Sequence, residues 1–227
     1  MSVSASIRPY NARDYRVIGT ICVQTGNAGR DASGLYDSHD LLPALYAYPY
    51  VVHSPDLAWV VEYDGKVVGY VVGIADTREF SDWWVHYWRR ELALMFEQTD
   101  GWSMASLGLL ERGMEMFHRF TRLADDIGEA TKTATTFGGF AYPAELRVDL
   151  LPEAQGKGEG EKLVRLFVNA LARLGVPGVT VGIDEDNLEE QGFFKQIGFV
   201  PVATSNSGRQ TGTIFMVART DTLINRL

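Results

Sequence analysis

A chain of 227 residues, 46% hydrophobic and 22% charged, is long enough to bury a core without disulfides or a structural metal, and its composition excludes disordered and collagen-like classes. With 21 Lys and Arg against 29 Asp and Glu the formal net charge is −8, which argues against a nucleic-acid binder held by a basic face yet leaves room for an anion at a helix N-terminus. Cys22 is the sole cysteine, and His39, His53, His86 and His118 show no metal-ligand spacing, so intramolecular disulfides, cysteine zinc clusters and HExxH-type sites drop out.

No basic stretch leads into an apolar one at the N-terminus. The longest apolar stretch, residues 41–52, contains two prolines and falls short of the ~20 residues of a membrane span. A cytoplasmic chain without a membrane partner is expected.

In chain order, Ser6–Tyr10 reads as a strand, and Asn11 caps a helix with Asp14 in its first turn and Ile18, Ile21, Cys22 and Thr25 at helical spacing. On that face Cys22 is a small buried hydrophobe. Two β-rich runs, 57–62 and 66–72, flank Asp64-Gly65, a strong hairpin signal. Residues 77–96 are helical, with Phe80, Trp84, Tyr87, Trp88 and Glu91 along one face, and Trp83, Trp84 and Trp88 read as core packing. Another helix over 107–127 gives way to a Thr/Gly-rich loop ending at Pro143. Together these make a helical insertion at about 77–139 within one domain spanning 1–227.

The last third is the clearest. Glu145–Leu151 is a strand stopped by Pro152. A Gly-studded loop then opens a helix with Leu163, Leu166, Phe167, Ala170, Leu171 and Leu174 on one face, ended by Gly175 and Pro177. A strand at 179–183, a helix at 187–196, strands at 199–203 and 213–218 and a short tail follow. Helices mixed among strands around an early hairpin indicate an α/β or α+β domain with a largely antiparallel sheet.

Chemistry concentrates in Leu150-Leu-Pro-Glu-Ala-Gln155-Gly-Lys-Gly-Glu-Gly160. Glycines at 156, 158 and 160 at a strand-to-helix junction let backbone N–H groups converge on a pyrophosphate beside the helix dipole. The run is neither a P-loop nor a GxGxxG fingerprint, and spacing alone leaves phosphate binding level with a Gly-rich connector.

Gln155-Gly-Lys-Gly158-Glu-Gly160 resembles the Q/R-x-x-G-x-G/A motif of the GCN5-related N-acetyltransferase superfamily, and Asn187 followed by Phe193-Phe194-Lys-Gln-Ile-Gly198-Phe199 resembles its second motif. The order of elements matches too. Within that superfamily, the runs 25–33, 73–77 with Phe80, and 142–155 look like one group of bacterial homologues of the acetyltransferase-like domain of eukaryotic O-GlcNAcase. The resemblance implies a mixed, mostly antiparallel twisted sheet of about seven strands flanked by helices, with the fourth and fifth strands splayed.

It implies acetyl-CoA as co-substrate, without a metal. Gln155, Gly156, Lys157, Gly158, Glu159 and Gly160 would hold its pyrophosphate. Backbone donors for the thioester would lie at Asp149 to Leu151; Leu150 and Leu151 can serve the core at the same time, and Pro152 has no N–H. Asn187 would contact the pantetheine arm as well as cap its helix. Phe194 stands where the family has a tyrosine acid, and Glu145 and Arg147 stand where relatives have histidines. Asp149 is then the leading base or acceptor anchor, with Glu145 behind it. Asp76, Asn27 and Asp31 match positions around the acceptor cleft, each also readable as a cap or turn residue.

The expected activity is acetyl transfer to an amine by direct attack. The alternative is a catalytically silent acetyl-CoA-binding or scaffolding domain, because the eukaryotic domain is regarded as a pseudo-acetyltransferase and the tyrosine at 194 is missing. The acceptor, a small-molecule amine or a protein lysine, is not implied. Asp149, Glu145 and Asp76 would favour a cationic one by steering. No nucleic acid is expected as a partner, and a homodimer is compatible with the sequence.

Overall fold

The Asp64-Gly65 turn joins β2 (Ala58–Tyr63) to β3 (Lys66–Ile74). Its two residues have φ of +50° and +80°, the backbone that a two-residue type I′ hairpin requires. The computed structural model describes residues 5–111, 113, 142–205 and 212–226. β1 (Ala5–Pro9) runs antiparallel to β2, and Arg8 clips the pair to the Asn11–Asp14 capping box through contacts of 2.7 Å to Asp14 and 2.6 Å to Glu62. Between β1 and β2 lie α1 (Tyr15–Thr25), α2 (Leu41–Tyr46) and α3 (Tyr48–His53).

After β3 come α4 (Thr77–Trp83), a π-helical turn Trp84–Trp88, α5 (Arg89–Met95) and α6 (helical residues 104–111). The π turn widens the local period, so Phe80, Trp84, Trp88 and Leu92 are buried while Tyr87, expected on that face, is 49% exposed. Of the 77–139 insertion, residues 112 and 114–139 lie outside the described residues, and with them most of the helix and loop read there from sequence.

β4 (Ala144–Leu150), α7 (Glu159–Arg173), β5 (Gly178–Asp184), α8 (Leu188–Ile197), β6 (Val200–Ser205) and β7 (Thr213–Arg219) follow as expected. The tail differs. Residues Thr220–Arg226 form α9, with Asp221 in the first turn and Leu223 buried. Leu174 is 62% exposed, because it falls just past the end of α7.

The sheet has seven strands in the order β1-β2-β3-β4-β5-β7-β6, antiparallel except at β4–β5. That parallel contact consists of Ala144↔Val179 and Glu145↔Thr180 and ends there. From Glu145 onward the two strands part. α7 covers one face: Leu163, Val164, Phe167, Val168 and Leu171 are buried, each contributing about 1.5–3 kcal/mol through removal from water. Phe167 lies directly over Gly73, where any β-carbon would collide with its ring. α1 and α3 pack on the opposite face, and α9 packs on α7.

Candidate functional site

The parted strands form a seam, and the glycine run lies at its mouth. Gly156 and Gly158 take φ of +67° and +80°, a backbone that glycine adopts without strain. A β-carbon at either would meet open space. Gly158 caps α7, whose first helical bond runs from Lys162 N–H to the Gly158 carbonyl. Among the described residues, the N–H groups of residues 156–160 donate to no other protein atom. Unused N–H groups at the positive end of a 15-residue helix have the chemistry that suits an anion.

Lys157 reaches back so that its ammonium stands 5.2 Å from the Tyr63 ring centroid. The Glu159 side chain turns inward and is bridged by Lys162 at 3.1 Å, which offsets its charge beside the anion site. Gly160 packs tightly: a β-carbon there would be 3.3 Å from the Phe193 ring and 3.5 Å from Leu150 Cδ1.

Strand alternation fixes which backbone groups face the seam. Leu151 N–H donates to the Val68 carbonyl at 2.9 Å, so it points toward β3. The neighbouring Leu150 N–H and carbonyl therefore point the other way. The Gln155 amide takes the Leu150 carbonyl at 2.8 Å. Leu150 N–H is left directed into the seam, beyond the last β5 pairing.

On the α1/α3 side, Glu145, Arg147 and Asp149 share one face of β4, opposite Ile74, Val72 and Tyr70 of β3. Asp149 accepts from the Tyr70 hydroxyl at 2.5 Å and from Thr25 Oγ1, at the end of α1, at 3.0 Å. Glu145 is 4% exposed and accepts from the Tyr50 hydroxyl of α3 at 3.0 Å. Burial pushes the Glu145 carboxyl up to about 7, against the pull of Arg147 and the Tyr50 hydrogen bond. Burial and the adjoining carboxylates hold the Tyr50 and Tyr70 phenols well above their ordinary range, so both remain donors.

Across the seam, α8 brings a second acid. Asn187 caps α8 by accepting from Glu190 N–H, and its amide donates to the Glu190 carboxylate at 2.8 Å. Burial, then Asp149 and Asp184, push Glu190 up to about 7, with Arg147 pulling the other way. Asp149 and Glu190 are thus electrostatically coupled carboxyls on facing elements, and the charge of Asp149 is one cause of the raised Glu190 value. Cys22 lies beneath, and burial pushes its thiol up to about 12, which removes it as a nucleophile near neutral pH.

No protein-family model matches the chain. Among solved structures it is similar to SsHAT, at 30% identity over 96% of this chain and 98% of that one, with a TM-score of 0.77. It shares its fold with yncA of Salmonella typhimurium, described as an acetyltransferase and solved with acetyl-CoA (18% identity, 96% and 94% coverage, TM-score 0.54). It shares it also with Ard1 of Thermoplasma volcanium (14% identity, 96% and 98% coverage, TM-score 0.54). The chain belongs to the GCN5-related N-acetyltransferase superfamily.

The mixed seven-stranded sheet with parted fourth and fifth strands is the superfamily fold expected from the sequence. Within this acetyltransferase frame the candidate residues do not all stand in one place. Asp149, Leu150, Gln155–Gly160 and Asn187 converge on the seam. The 27–31 turn reaches it as well, since a β-carbon on Gly29 would stand 3.9 Å from the Asn187 amide. Within that turn Asn27 pairs with Arg30 through the backbone, and Asp31 folds back on Ser33 at 2.6 Å. Asp76 caps α4 through the N–H groups of Arg78 and Glu79, and among the described residues no side-chain bond ties it to the seam. Phe194 is 1% exposed, with the Phe193 and Phe199 rings each at a centroid distance of 5.0 Å.

Four residues of the cluster were not among the sequence candidates: Thr25, Tyr50, Tyr70 and Glu190. Tyr50 and Tyr70 sit in apolar runs that read as core, and Thr25 lies on the apolar face of α1. Glu190 carries a signal of its own, three residues after a capping Asn, but that spacing is also what an ordinary helix start shows. Among the described residues no three His, Cys, Asp or Glu side chains group to hold a metal ion, and no helix is long and apolar enough to cross a membrane.

Proposed function

We propose that this protein is an acetyl-CoA-dependent N-acetyltransferase in which a bound amine attacks the thioester directly. The observation that carries the reading is the seam itself: unused N–H groups of residues 156–160 at its mouth, the Leu150 N–H inside it, and Asp149 and Glu190 on its two walls. Acetyl-CoA fits the chemistry of this donor set. Residues 156–160 offer an anion cradle with room for a ligand where β-carbons are missing, and Asn187 stands where the pantetheine arm would pass.

When bound, acetyl-CoA supplies an activated acetyl group. The Leu150 N–H, preorganised toward the seam, stabilises the oxyanion that forms as the amine nitrogen bonds to the carbonyl carbon. Asp149, fixed by two hydroxyls, orients the acceptor and receives the proton that the amine gives up. The carbon–sulfur bond then breaks, and the thiolate takes a proton from Glu190. Glu190 lies four residues before Phe194 and so on the same side of α8, and a carboxyl near 7 suits proton transfer at neutral pH. It supplies the acid that a phenyl ring at 194 cannot.

Asp149→Asn tests the assignment. Turnover on an amine should fall by about 100-fold or more, while the Kd for acetyl-CoA measured by calorimetry stays within about twofold, because Asp149 faces the acceptor side. Equal turnover in variant and wild type would remove Asp149 from the chemistry. The silent-domain reading is favoured by the buried Phe194 alone. Detection of free CoA thiol with an amine panel decides between them: release with any amine ends the silent reading, and bound acetyl-CoA without release selects it.

A further inference from the structure

We propose that the acceptor is an amine carrying its own carboxylate, an amino acid or a close analogue, and that Arg147 receives that carboxylate. The inference rests on the transferase reading above and narrows its acceptor class.

Arg147 occupies the middle of the functional face of β4, between Glu145 and Asp149. Its guanidinium stacks on Tyr46 at the end of α2, 4.8 Å from the ring centroid. The flanking Glu145 and Asp149 act on this cation through space, but neither stands within salt-bridge distance of it. Both Asp149 oxygens take hydroxyl donors, from Thr25 and Tyr70, and Glu145 takes the Tyr50 hydroxyl. Among the described residues Arg147 forms no ion pair. Its Nε is buried without a hydrogen-bond partner. Among the described residues the Tyr50 oxygen shares with the guanidinium while its hydroxyl donates to Glu145, so this partner is neutral and brings no charge to Arg147. The residue as a whole is half-buried on the face it shares with Asp149.

A cation enclosed this way is costly unless something pairs with it. The planar fork of arginine matches a carboxylate through two parallel N–H bonds, stronger than bonds between neutral groups. Position along β4 sets the shape of the ligand. Leu150 N–H marks the reacting carbonyl, Asp149 beside it holds the amine, and Arg147 lies two residues further in, about 7 Å along the strand. An acceptor whose amine and carboxylate are a few bonds apart reaches both. The acidic residues taken alone favour a bare cation, but such a ligand would approach a guanidinium with no carboxylate bonded to it; a zwitterion offers each end a partner.

The test measures binding in the presence of saturating CoA, so that no turnover is needed. The probes are the common L-amino acids, β-alanine and γ-aminobutyrate, each beside its own carboxamide, which keeps the amine and lacks the anion. At least one acid should bind about tenfold or more tighter than its amide. Arg147→Gln should bring that ratio to about one, and Arg147→Lys should leave an intermediate ratio, with acetyl-CoA affinity unchanged in both. If Arg147→Gln does not fold, the wild-type ratio and Arg147→Lys carry the test. Amides that bind as well as acids, no binding by any member, or a ratio that survives in folded Arg147→Gln each overturn the proposal. Failure of the transferase reading looks different: acid-selective binding would persist without release of CoA thiol from acetyl-CoA.

Discussion

Gly158→Glu should abolish acetyl-CoA binding while leaving the fold in place. The residue sits at φ +80° with open space before it, so the new side chain costs about 1–2 kcal/mol of left-handed backbone strain and meets no clash. Its carboxylate would stand at the N-terminus of α7, where the helix dipole favours negative charge and returns part of that cost. The same placement puts a charge in front of the N–H groups that would hold pyrophosphate. A rise in Kd of at least about 100-fold is expected, since two like charges in a desolvated anion site cost several kcal/mol. Gly158→Ala is the control, sharing the strain without the charge, and should lose far less. Calorimetry reads the affinity directly, and the thermal shift on adding ligand should vanish in Gly158→Glu. Unchanged binding in that variant would place the nucleotide elsewhere.

A second large effect concerns pH. Glu145 and Glu190 are both held at about 7 in the folded protein, against 4.5 for the free side chain. Between those values the folded chain binds protons that the unfolded chain has lost. Their contribution to stability is therefore complete below about 4.5 and disappears as pH rises through about 7, up to about 3 kcal/mol for each group. Melting temperature should fall from pH 5 to pH 8. Asp14 and Asp37 are lowered, Asp37 to about 2, and lose their effect only below this window; His53, lowered by burial, opposes the two acids within it as one group against two. Glu145→Gln and Glu190→Gln should each flatten the slope. A melting temperature that rises across pH 5 to 8 would contradict the burial of both acids.

Local chemistry was legible in the sequence wherever a feature is made by neighbours in the chain. Asp64-Gly65 announces its own turn, Gly158 its own helix start, and Asn187 its own cap. The acid cluster is not of that kind. Asp149 meets Thr25 from α1, Tyr70 from β3 and the field of Glu190 from α8, and those meetings depend on sheet order and on where β4 and β5 part. Tyr50 and Tyr70 lie in apolar runs, and nothing local distinguishes a core tyrosine from one whose hydroxyl holds a carboxylate. The π turn at Trp84–Trp88 escaped because a periodicity argument assumes a constant period. α9 escaped because seven residues are too few to show one.

The two-pair contact between β4 and β5 also divides the molecule mechanically. β5, β7 and β6 are paired with one another through most of their lengths, whereas among the described residues the ladder joining them to the other strands consists of Ala144↔Val179 and Glu145↔Thr180. Such a block can open and reclose as a cooperative unit while the rest stays folded. Amide exchange in β5, β6 and β7 should then report a lower opening energy than exchange in β2 and β3. A molecule lodged between the parted strands would act as a missing strand does, joining two half-sheets into one and slowing exchange on both sides at once.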